Sequence, residues 1–443
     1  MAAQKKRTGS TARTFALAVV VLSGLTIGGI AIVRAGSMWW GPLRSGALLL
    51  LWPTGESPVS HDLPATFEPR HEGGVDTSTG LYVREDDDLH LAGTPPFILT
   101  RTYRTKDRIS RHFGIGATNN AEWYLIGDAR AFQWAALILE DGTRVHFDRV
   151  SEGTSYSNAR YVNYGAANEF DWAEVGWTGR RWLLRYFDGS LAWFRGCSPA
   201  TRHPCAIIQT RDVDGHVVHF DRNPDGNVET IRAGRSQSMH FEYDDRQRII
   251  RASTSDAQQV VYTYDDRGRL REATDADGVK RSYTYGAQDE LLNIIEPEGV
   301  ITNEYDSDLR VSRQVTQSLR SHAGPSDTAV LEFRYRTDDD GVVTETDVTE
   351  PDGTHTLYRF DNGRAVLEIY DAQGENPVMV SLNRDESGFV TSITVRCRAN
   401  GRRITRTADV TDDDDEETIK RQLIADECSG GRAVPRPPER PAK

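Results

Sequence analysis

The sequence predicts an all-β fold of stacked β-hairpins, with one N-terminal transmembrane helix and a short C-terminal helix. Three observations predict it: aromatic residues recur about every 21 residues, Asp-Gly and Asn-Gly pairs recur along the chain, and an uncharged run lies near the N-terminus. With 443 residues, the chain is long enough for one large β structure or two to three ordinary domains.

The tandem repeat between Asp212 and Ser318 is the most informative pattern. Four aligned segments share an anchoring tyrosine, at spacings of 21, 21 and 20 residues. The anchors are Tyr243, Tyr264, Tyr285 and Tyr305. A second ring precedes three of them by two residues, at Phe241, Tyr262 and Tyr283. A period of two places both rings on one strand face, and a fixed period near 20 is typical of stacked repeats.

Each repeat is interpreted as two strands and two turns. After Tyr264, the residues Asp265–Gly268 supply turn chemistry, and Gly268 is free to adopt a positive φ. A short strand over Arg269–Ala273 follows, and Asp277-Gly278 closes the unit. One repeat is therefore one β-hairpin. Because a single hairpin is marginally stable in water, the tyrosines are the expected contacts between neighbours.

Turn dipeptides extend past both ends of the clear repeat. Asp-Gly pairs begin at Asp141, Asp188, Asp214, Asp225, Asp277, Asp340 and Asp352, and Asn-Gly pairs begin at Asn362 and Asn400. These dipeptides favour tight hairpin turns, so hairpins are expected throughout. The predicted organisation is a basic tail (1–13), an anchor or signal segment (14–35), a linker (36–72), an N-terminal β domain (73–211), the repeats (212–318), degenerate repeats (319–403), and an acidic helix with a Pro-rich tail (404–443).

The uncharged run from Thr14 to Val33 predicts a membrane anchor. Twenty residues at about 1.5 Å each span the roughly 30 Å of a bilayer core, and basic residues precede the run. The N-terminus is then expected in the cytoplasm and the remaining chain outside it, with a bacterial inner-membrane location. A cleaved signal peptide ending near Ala35 is the alternative. The apolar stretch Met38–Trp52 is interpreted as interfacial, with a second span as its alternative.

Charge and cysteine content bound the partners and the compartment. The net charge is −13, and residues 1–60 carry +5, which leaves −18 on the remaining chain. An acidic body repels phosphate backbones, so nucleic acid is not expected as a partner. Four cysteines in an oxidising compartment favour disulfides, and the near pairs Cys197/Cys205 and Cys397/Cys428 are one of three possible pairings.

The repeats resemble the YD repeats of Rhs proteins and teneurins. The motif is carried by Tyr264-Asp265, Gly268-Arg269-Leu270 and the Thr274–Gly278 turn, while Gln247 and Asp308 were aligned with Gly268 in two other copies. The upstream segment, with Pro96, Arg101, Tyr103, Phe113, Gly114, Gly116 and Trp123, resembles the domain that opens many Rhs proteins. The resemblance implies hairpins stacked into a spiralling or partial-shell sheet.

The resemblance also implies a function by surface and not by catalysis. We expect an extracytoplasmic scaffold that binds, shields or presents a partner protein or toxin cargo, with no catalytic residue, cofactor or metal. A wall- or carbohydrate-binding protein is the alternative, based on four clustered tryptophans. They are Trp172, Trp177, Trp182 and Trp193. An uncharacterised hydrolase or a functional relic is a weaker possibility. The acidic clusters Asp86–Asp88 and Asp338–Asp340 are interpreted as solvated loop charge, ahead of calcium sites.

Overall fold

The computed structural model describes residues 70–71, 73–128, 130–164, 170–197, 205–319, 328–385, 390–399, 402–410 and 416–428. All of them belong to the second of two compact units, Leu49–Lys443. The predicted anchor (14–35) and the apolar stretch Met38–Trp52 lie outside the described residues. Within the described residues, no helix combines the length and apolar character needed to cross a membrane.

The first described part, residues 70–122, is called the N-terminal segment here. It forms a three-stranded antiparallel sheet in the order β1-β2-β5 and a two-stranded sheet of β3 and β4. The strands are β1 (Val83–Leu91), β2 (Phe97–Arg104), β3 (Ser110–Arg111), β4 (Gly114–Ile115) and β5 (Ala117–Asn119). Its apolar residues, among them Leu89, Leu99 and Phe113, are buried in the same core cluster as the repeats.

The remaining strands form one antiparallel ribbon in which each strand pairs with the next along the chain. They are β6 (Tyr124–Gly127), β7 (Trp134–Ile138), β8 (Arg144–Arg149), β9 (Arg160–Val162), β10 (Glu174–Trp177), β11 (Arg181–Arg185), β12 (Leu191–Arg195), β13 (Cys205–Arg211), β14 (Val217–Arg222), β15 (Val228–Ala233), β16 (Gln237–Tyr243), β17 (Ile249–Thr254), β18 (Gln259–Tyr264), β19 (Leu270–Asp275), β20 (Lys280–Tyr285), β21 (Leu291–Glu296), β22 (Gly299–Tyr305), β23 (Val311–Ser318), β24 (Thr328–Thr337), β25 (Val343–Thr349), β26 (His355–Asp361), β27 (Arg364–Tyr370), β28 (Val378–Arg384), β29 (Val390–Ala399) and β30 (Arg402–Asp409).

The ribbon closes on itself once, within its first eight strands. The start of β13 pairs with β6, where Cys205 lies opposite Leu125 and Ala206 lies opposite Tyr124. The end of β13 pairs with β14 instead, so the ribbon continues past the ring. The ring interior is filled by buried side chains such as Phe147 and Phe194. Strand β13 thus belongs both to the ring and to the part of the ribbon that continues into the repeats.

The predicted all-β architecture of one hairpin per repeat is confirmed. Strands β16 to β23 alternate a tyrosine-bearing strand with a short partner strand, as the 21-residue period requires. The glycine of each Asp-Gly pair has a positive φ, between +80° at Gly278 and +94° at Gly226. In the repeats, the N–H of Gly278 donates to the carbonyl of Asp275 and closes the turn. The Asn-Gly pair at Asn362 also has positive φ, whereas Asn400 lies outside the described residues.

A helix and a disulfide complete the C-terminal end of the ribbon. Helix α1 (Glu416–Cys428) buries Ile424 against β28 to β30, and Cys428 is bonded to Cys397 of β29. The second disulfide joins Cys197 to Cys205. The expectation of disulfides is therefore confirmed, and of the three pairings that the sequence leaves open the structure contains the near pairs. Strand β30 runs to Asp409, beyond residue 403, where the sequence predicts the end of the repeat region. The polar sequence of this strand lacks a recognisable repeat signature, so the repeat pattern does not reveal it.

Candidate functional site

Three of the four repeats are built around an aspartate that organises the turn, whereas Gly286 takes its place after Tyr285. The Oδ1 atom of Asp265 accepts hydrogen bonds from the backbone N–H groups of Arg267 and Arg269, at 3.0 and 2.9 Å. Its Oδ2 atom accepts a hydrogen bond from Nε of Arg269 at 2.7 Å. Asp244 makes the equivalent three contacts one repeat earlier. The YD aspartate therefore satisfies two backbone donors and orients one arginine.

That arginine connects its own repeat to the next one. The guanidinium carbon of Arg248 lies 4.3 Å from the ring centroid of Tyr264, and that of Arg269 lies 5.1 Å from the ring centroid of Tyr285. Both distances are within the range of cation–π attraction, and the arginines are half-buried. The Asp-Arg pair of one repeat thus positions the anchoring tyrosine of the following repeat.

The tyrosine hydroxyl groups add a second connection between repeats. The hydroxyl of Tyr264 donates a hydrogen bond to the carbonyl of Ile249, 15 residues earlier. Tyr243 bonds the carbonyl of Val228 and Tyr305 bonds that of Leu291. Burial raises the pKa of these phenols, so they remain neutral donors. The rings pack partly buried against the core, whereas Phe241, Tyr262 and Tyr283 are fully within it.

In three of the four repeats, the N-terminal segment accepts a hydrogen bond from the same backbone position. Residues that begin the second strand of a repeat donate their N–H groups to it: Ile249 to the carbonyl of His112, Leu291 to the hydroxyl of Tyr103, and Val311 to the carbonyl of Gly80. The distances are 2.8, 3.0 and 2.9 Å. Bulges in the hairpins turn these N–H groups away from the strand ladder. The segment therefore completes the hydrogen bonding of the repeats.

One glycine in this segment permits the closest backbone approach. Gly114 forms an isolated bridge with Arg269, and a Cβ atom at Gly114 would lie 2.3 Å from the carbonyl oxygen of Gly268. Its φ of +88° is also a conformation that favours glycine. The glycine at position 114, which is part of the resemblance to Rhs proteins, is therefore required by the close contact with Gly268 and by its positive φ.

Five buried residues form a charged cluster between the N-terminal segment and the repeats, which we call the seam: Asp86, Asp88, Arg101, Tyr262 and Tyr283. Arg101 is 2% exposed and donates hydrogen bonds to Asp86 at 3.0 Å, to Asp88 at 2.9 Å and to the Tyr283 hydroxyl at 2.7 Å. The hydroxyl of Tyr262 donates to Asp88 at 3.0 Å. Each charged group of the seam thus has a partner inside it, and Arg84 and Arg281 at its border pair with Asp86 and Asp88 as well.

Arginines hold the Asp86 carboxylate of the seam ionised. Burial alone would raise the pKa of Asp86, but the guanidinium groups of Arg101 and Arg84 outweigh it and place the pKa below its ordinary value. Burial likewise disfavours the charged form of Arg101, and the carboxylate of Asp88 leads the opposing effects that raise its pKa. This ion cluster links β1 and β2 of the N-terminal segment to β18 and β20 of the repeats and favours one register between them.

The expectation of solvated loop charge at Asp86–Asp88 was wrong. The three residues lie in β1, and only Asp87 points outward, whereas Asp86 and Asp88 are buried. Strand alternation places both on the same face, and a bulge between Asp87 and Leu89 keeps Leu89 on that face too. The signal that could have revealed this was Arg101 in the neighbouring strand, two residues before Tyr103. Asp338, by contrast, caps an exposed turn.

The alignment of Asp308 with Gly268 was also wrong. The residue with the matching positive φ is Leu309, at +59°, and Asp308 precedes it. Gln247 and Asp289 occupy the same position in their repeats, with φ values of +64° and +69°. Leu309 is buried, and Asp289 pairs with Arg269. Contacts made by these side chains offset the strain of a left-handed conformation.

The opposite face of the ribbon, which we call the open face, carries polar cross-strand pairs. Arg251 lies 3.6 Å from Glu242, and Arg313 lies 2.7 Å from Glu304. Thr284 and Thr302 both bond to Asn293 between them. Strand alternation explains this arrangement, because residues next to each buried aromatic point away from the seam.

The four tryptophans do not form a single platform. Trp177 and Trp182 contact each other at 5.3 Å and are partly buried, whereas Trp193 lies on the other face of the same sheet, with Arg211 5.7 Å from its ring. Trp172 is 58% exposed and packs edge-on against Tyr164 at 5.1 Å. Among the described residues, no group of three or more His, Cys, Asp or Glu side chains is placed to hold a metal ion.

Two comparisons with protein families match separate parts of this chain. Residues 72–147 match DUF6531, a domain of unknown function, and residues 243–280 and 264–301 match the RHS repeat. The chain contains RHS repeats. The RHS repeats identified in this way are the hairpins whose Tyr-Asp-Arg contacts are described above, and the DUF6531 region includes most of the N-terminal segment. No curated protein matches the sequence.

Several solved structures align weakly with this chain. A crystal structure of TcdB2-TccC3-TEV is 11% identical over 76% of this chain and 21% of its own chain, with a TM-score of 0.29. The Photorhabdus luminescens Tc holotoxin pore gives 11% identity, the same coverage and a TM-score of 0.27. A porin-like protein from Bacteroides uniformis gives 13% identity, 53% and 91% coverage, and a TM-score of 0.15. The chain spans about a fifth of the first two.

Proposed function

We propose that this chain is a membrane-anchored, extracytoplasmic RHS-repeat scaffold that binds, shields or presents a partner protein in a bacterial toxin or secretion system. The observation that carries the proposal is the continuous ribbon itself. Strands β6 to β30 pair in unbroken sequence, and the N-terminal segment fixes the repeats at each turn. A surface of this kind suits recognition by an extended partner, and it acts by shape without chemistry.

The proposed location is supported by two features. The apolar run Thr14–Val33 is long enough to span a bilayer, and both pairs of cysteines are disulfide-bonded. The test is a topology experiment on the full chain in bacteria, using a C-terminal alkaline phosphatase fusion and thiol alkylation before and after reduction. We expect phosphatase activity and four thiols that are labelled only after reduction. An inactive fusion with freely labelled thiols would place the body in the cytoplasm and overturn the location.

Partner binding is tested by photo-crosslinking in the native envelope. A photoreactive amino acid is placed at Thr284 or Ile295, which are exposed on the open face, and at Asp188 in a ring turn as the comparison position. We expect a discrete adduct from the open-face positions that is absent at Asp188. Equal yields at all three positions, or none at any, with the chain present in the envelope, would refute a specific partner site.

Polysaccharide binding is a second candidate, favoured by the exposed pair Trp172 and Tyr164. Ring faces at the surface can pack on sugar rings, and this pair is the part of the predicted tryptophan cluster with the most exposed ring. Binding to peptidoglycan or an envelope polysaccharide should quench tryptophan fluorescence, and the Trp172→Ala variant should abolish it. An unchanged signal in the variant would exclude this site.

A further inference from the structure

Three arginines at the end of the ribbon stand together on the open face. Arg396 and Arg398 lie two residues apart in β29, so they share a face, and Arg398 is directly opposite Arg403 of β30. All three side chains are exposed. We call them the arginine patch. Like charges placed directly opposite each other in a sheet destabilise it, so this arrangement is unfavourable without a counter-charge.

Arg181 lies opposite Arg195 between β11 and β12, but the other upstream strands of the open face do not show this arrangement. There, cationic side chains repeatedly lie beside carboxylates, as in the pairs Arg232–Asp221 and Arg359–Glu345, at 2.6 and 2.8 Å. None of the three arginines of the patch has an ion-pair partner among the described residues. The described part of the last two strands contains one carboxylate, Asp409, which lies opposite Ser392 and away from the patch.

The orientation of the patch is fixed from the opposite face. Val395 and Cys397 alternate with the arginines of β29 and are buried beneath helix α1, to which Cys397 is covalently bonded through Cys428. Rotation of β29 would expose these residues and strain the covalent link. The arginines cannot turn inward to avoid one another, so the patch is a built feature of the surface.

Within the described residues, β30 is an edge strand beside the patch. It pairs with β29 alone, and the register, in which the Val410 N–H donates to the Thr391 carbonyl, turns the main-chain groups of Arg403, Thr405 and Thr407 to its other side. An open strand edge is a template for an added strand. A strand added beside β30 would place alternate side chains about 5 Å from Arg403, and the length of an arginine brings Arg398 within reach as well.

We propose that the arginine patch and the edge of β30 bind an extended acidic polypeptide segment of a partner, which adds as a further strand. Its alternate carboxylates would pair with Arg396, Arg398 and Arg403, and its backbone would pair with β30. A polypeptide is favoured over an anionic lipid or a polyphosphate because only a polypeptide matches the main-chain edge as well as the charge. The inference rests on the proposed function, since it presupposes a protein partner.

The test measures binding of a fluorescent, end-blocked 11-residue peptide of alternating Glu and Thr to the full chain in a non-ionic detergent, by anisotropy at 50 and 300 mM NaCl. We expect binding that weakens with salt. A peptide with Gln in place of Glu should bind at least tenfold more weakly, and so should a peptide whose alternate backbone amides are methylated, because it cannot pair as a strand.

The matched variants separate the patch from general positive charge. The triple variant R396Q/R398Q/R403Q should lose at least tenfold in affinity, whereas R232Q/R251Q/R313Q, which removes the same charge from paired positions on the same face, should bind as the wild type does. Circular dichroism and thermal melting will be used to verify that both variants are folded. Equal losses in the two variants would overturn the assignment of the site.

Two further outcomes would also overturn the inference. If any anion sufficed, vesicles containing phosphatidylglycerol, or polyphosphate, would compete with the peptide as well as the peptide competes with itself, and the methylated peptide would bind as the unmethylated one does. That result would assign the patch to anionic surfaces. No binding of the Glu-Thr peptide by the wild type removes the site altogether. Neither result affects the scaffold proposal if crosslinks from Thr284 or Ile295 persist, so the two failures are distinguishable.

Discussion

Replacing Arg101 with alanine tests whether the seam holds the N-terminal segment to the repeats. The substitution removes a buried guanidinium that bonds Asp86, Asp88 and the Tyr283 hydroxyl. It also removes a cation–π contact, since the guanidinium carbon lies 5.0 Å from the Tyr283 ring centroid. Both carboxylates stay buried after the change. They lose a cationic partner, whereas the free-energy cost of keeping their charges away from water remains.

The size of the effect follows from what is left around the carboxylates. Removing one partner of a buried ion pair costs about 3–5 kcal/mol. Asp86 keeps Arg84 at 2.7 Å, and Asp88 keeps Arg281 at 3.3 Å, so the lower half of this range is expected, about 3–4 kcal/mol. For the unit Leu49–Lys443, about 2.1 cal/mol/K per residue gives an unfolding entropy of about 0.8 kcal/mol/K. The Tm should therefore fall by about 4–5 °C.

The assay is thermal unfolding of the full chain followed by circular dichroism, with hydrogen exchange at the second strands of the repeats. Arg232→Ala is the control, because the Arg232–Asp221 pair is about half exposed and should contribute about 0–1 kcal/mol. Adding Asp86→Asn and Asp88→Asn to the Arg101→Ala variant should recover part of the loss, since the buried charge is gone. A Tm change no larger than that of the control would refute the reasoning.

Three other substitutions test separate features. Burial raises the pKa of Glu140 to about 7, so the stability that protonated Glu140 contributes below about pH 4.5 should be lost as the pH rises toward 7. Glu140→Gln should remove this pH dependence and raise the free energy of unfolding by about 2 kcal/mol at pH 8, as measured by urea unfolding. Replacing Cys397 and Cys428 with serine should cost about 3–4 kcal/mol in the loop-entropy estimate and increase hydrogen exchange in helix α1 first, and unchanged exchange there would contradict it. Ala257→Gly should stabilise the protein by about 0.5–1 kcal/mol, because φ is +69° at Ala257. The control is Ala276→Gly in the equivalent turn of the next repeat. It should destabilise by a similar amount, because φ is not positive at Ala276.

The repeat region could be predicted closely because its information is local. A tyrosine two residues after another ring, followed by Asp, turn residues and Gly268, specifies one hairpin wherever it occurs. The even number of cysteines predicted disulfides without choosing among three pairings, and the structure contains the near pairs. These features depend on residues within about 30 positions of each other, so no knowledge of the whole fold was needed.

The seam could not be predicted because its partners are far apart in the chain. Asp88 and Tyr262 are separated by 174 residues, and Arg101 and Tyr283 by 182. In the sequence, Asp86–Asp88 is only a short acidic run, and Arg101 becomes a signal of burial only once β1 and β2 are known to pair. Leu309 illustrates the same limit on a smaller scale, since its left-handed conformation is maintained by burial that the repeat motif does not encode.

The sequence by itself determined the strands, the turns, the period of the ribbon and the residues that repeat, because each follows from side-chain alternation and from turn chemistry acting over a few residues. Only the tertiary structure decided which face of the ribbon is buried, where β13 meets β6, and that Asp86 and Asp88 are paired inside the protein. The physical reason is that burial and charge pairing depend on what the folded chain brings into contact, and those partners lie one to two hundred residues away.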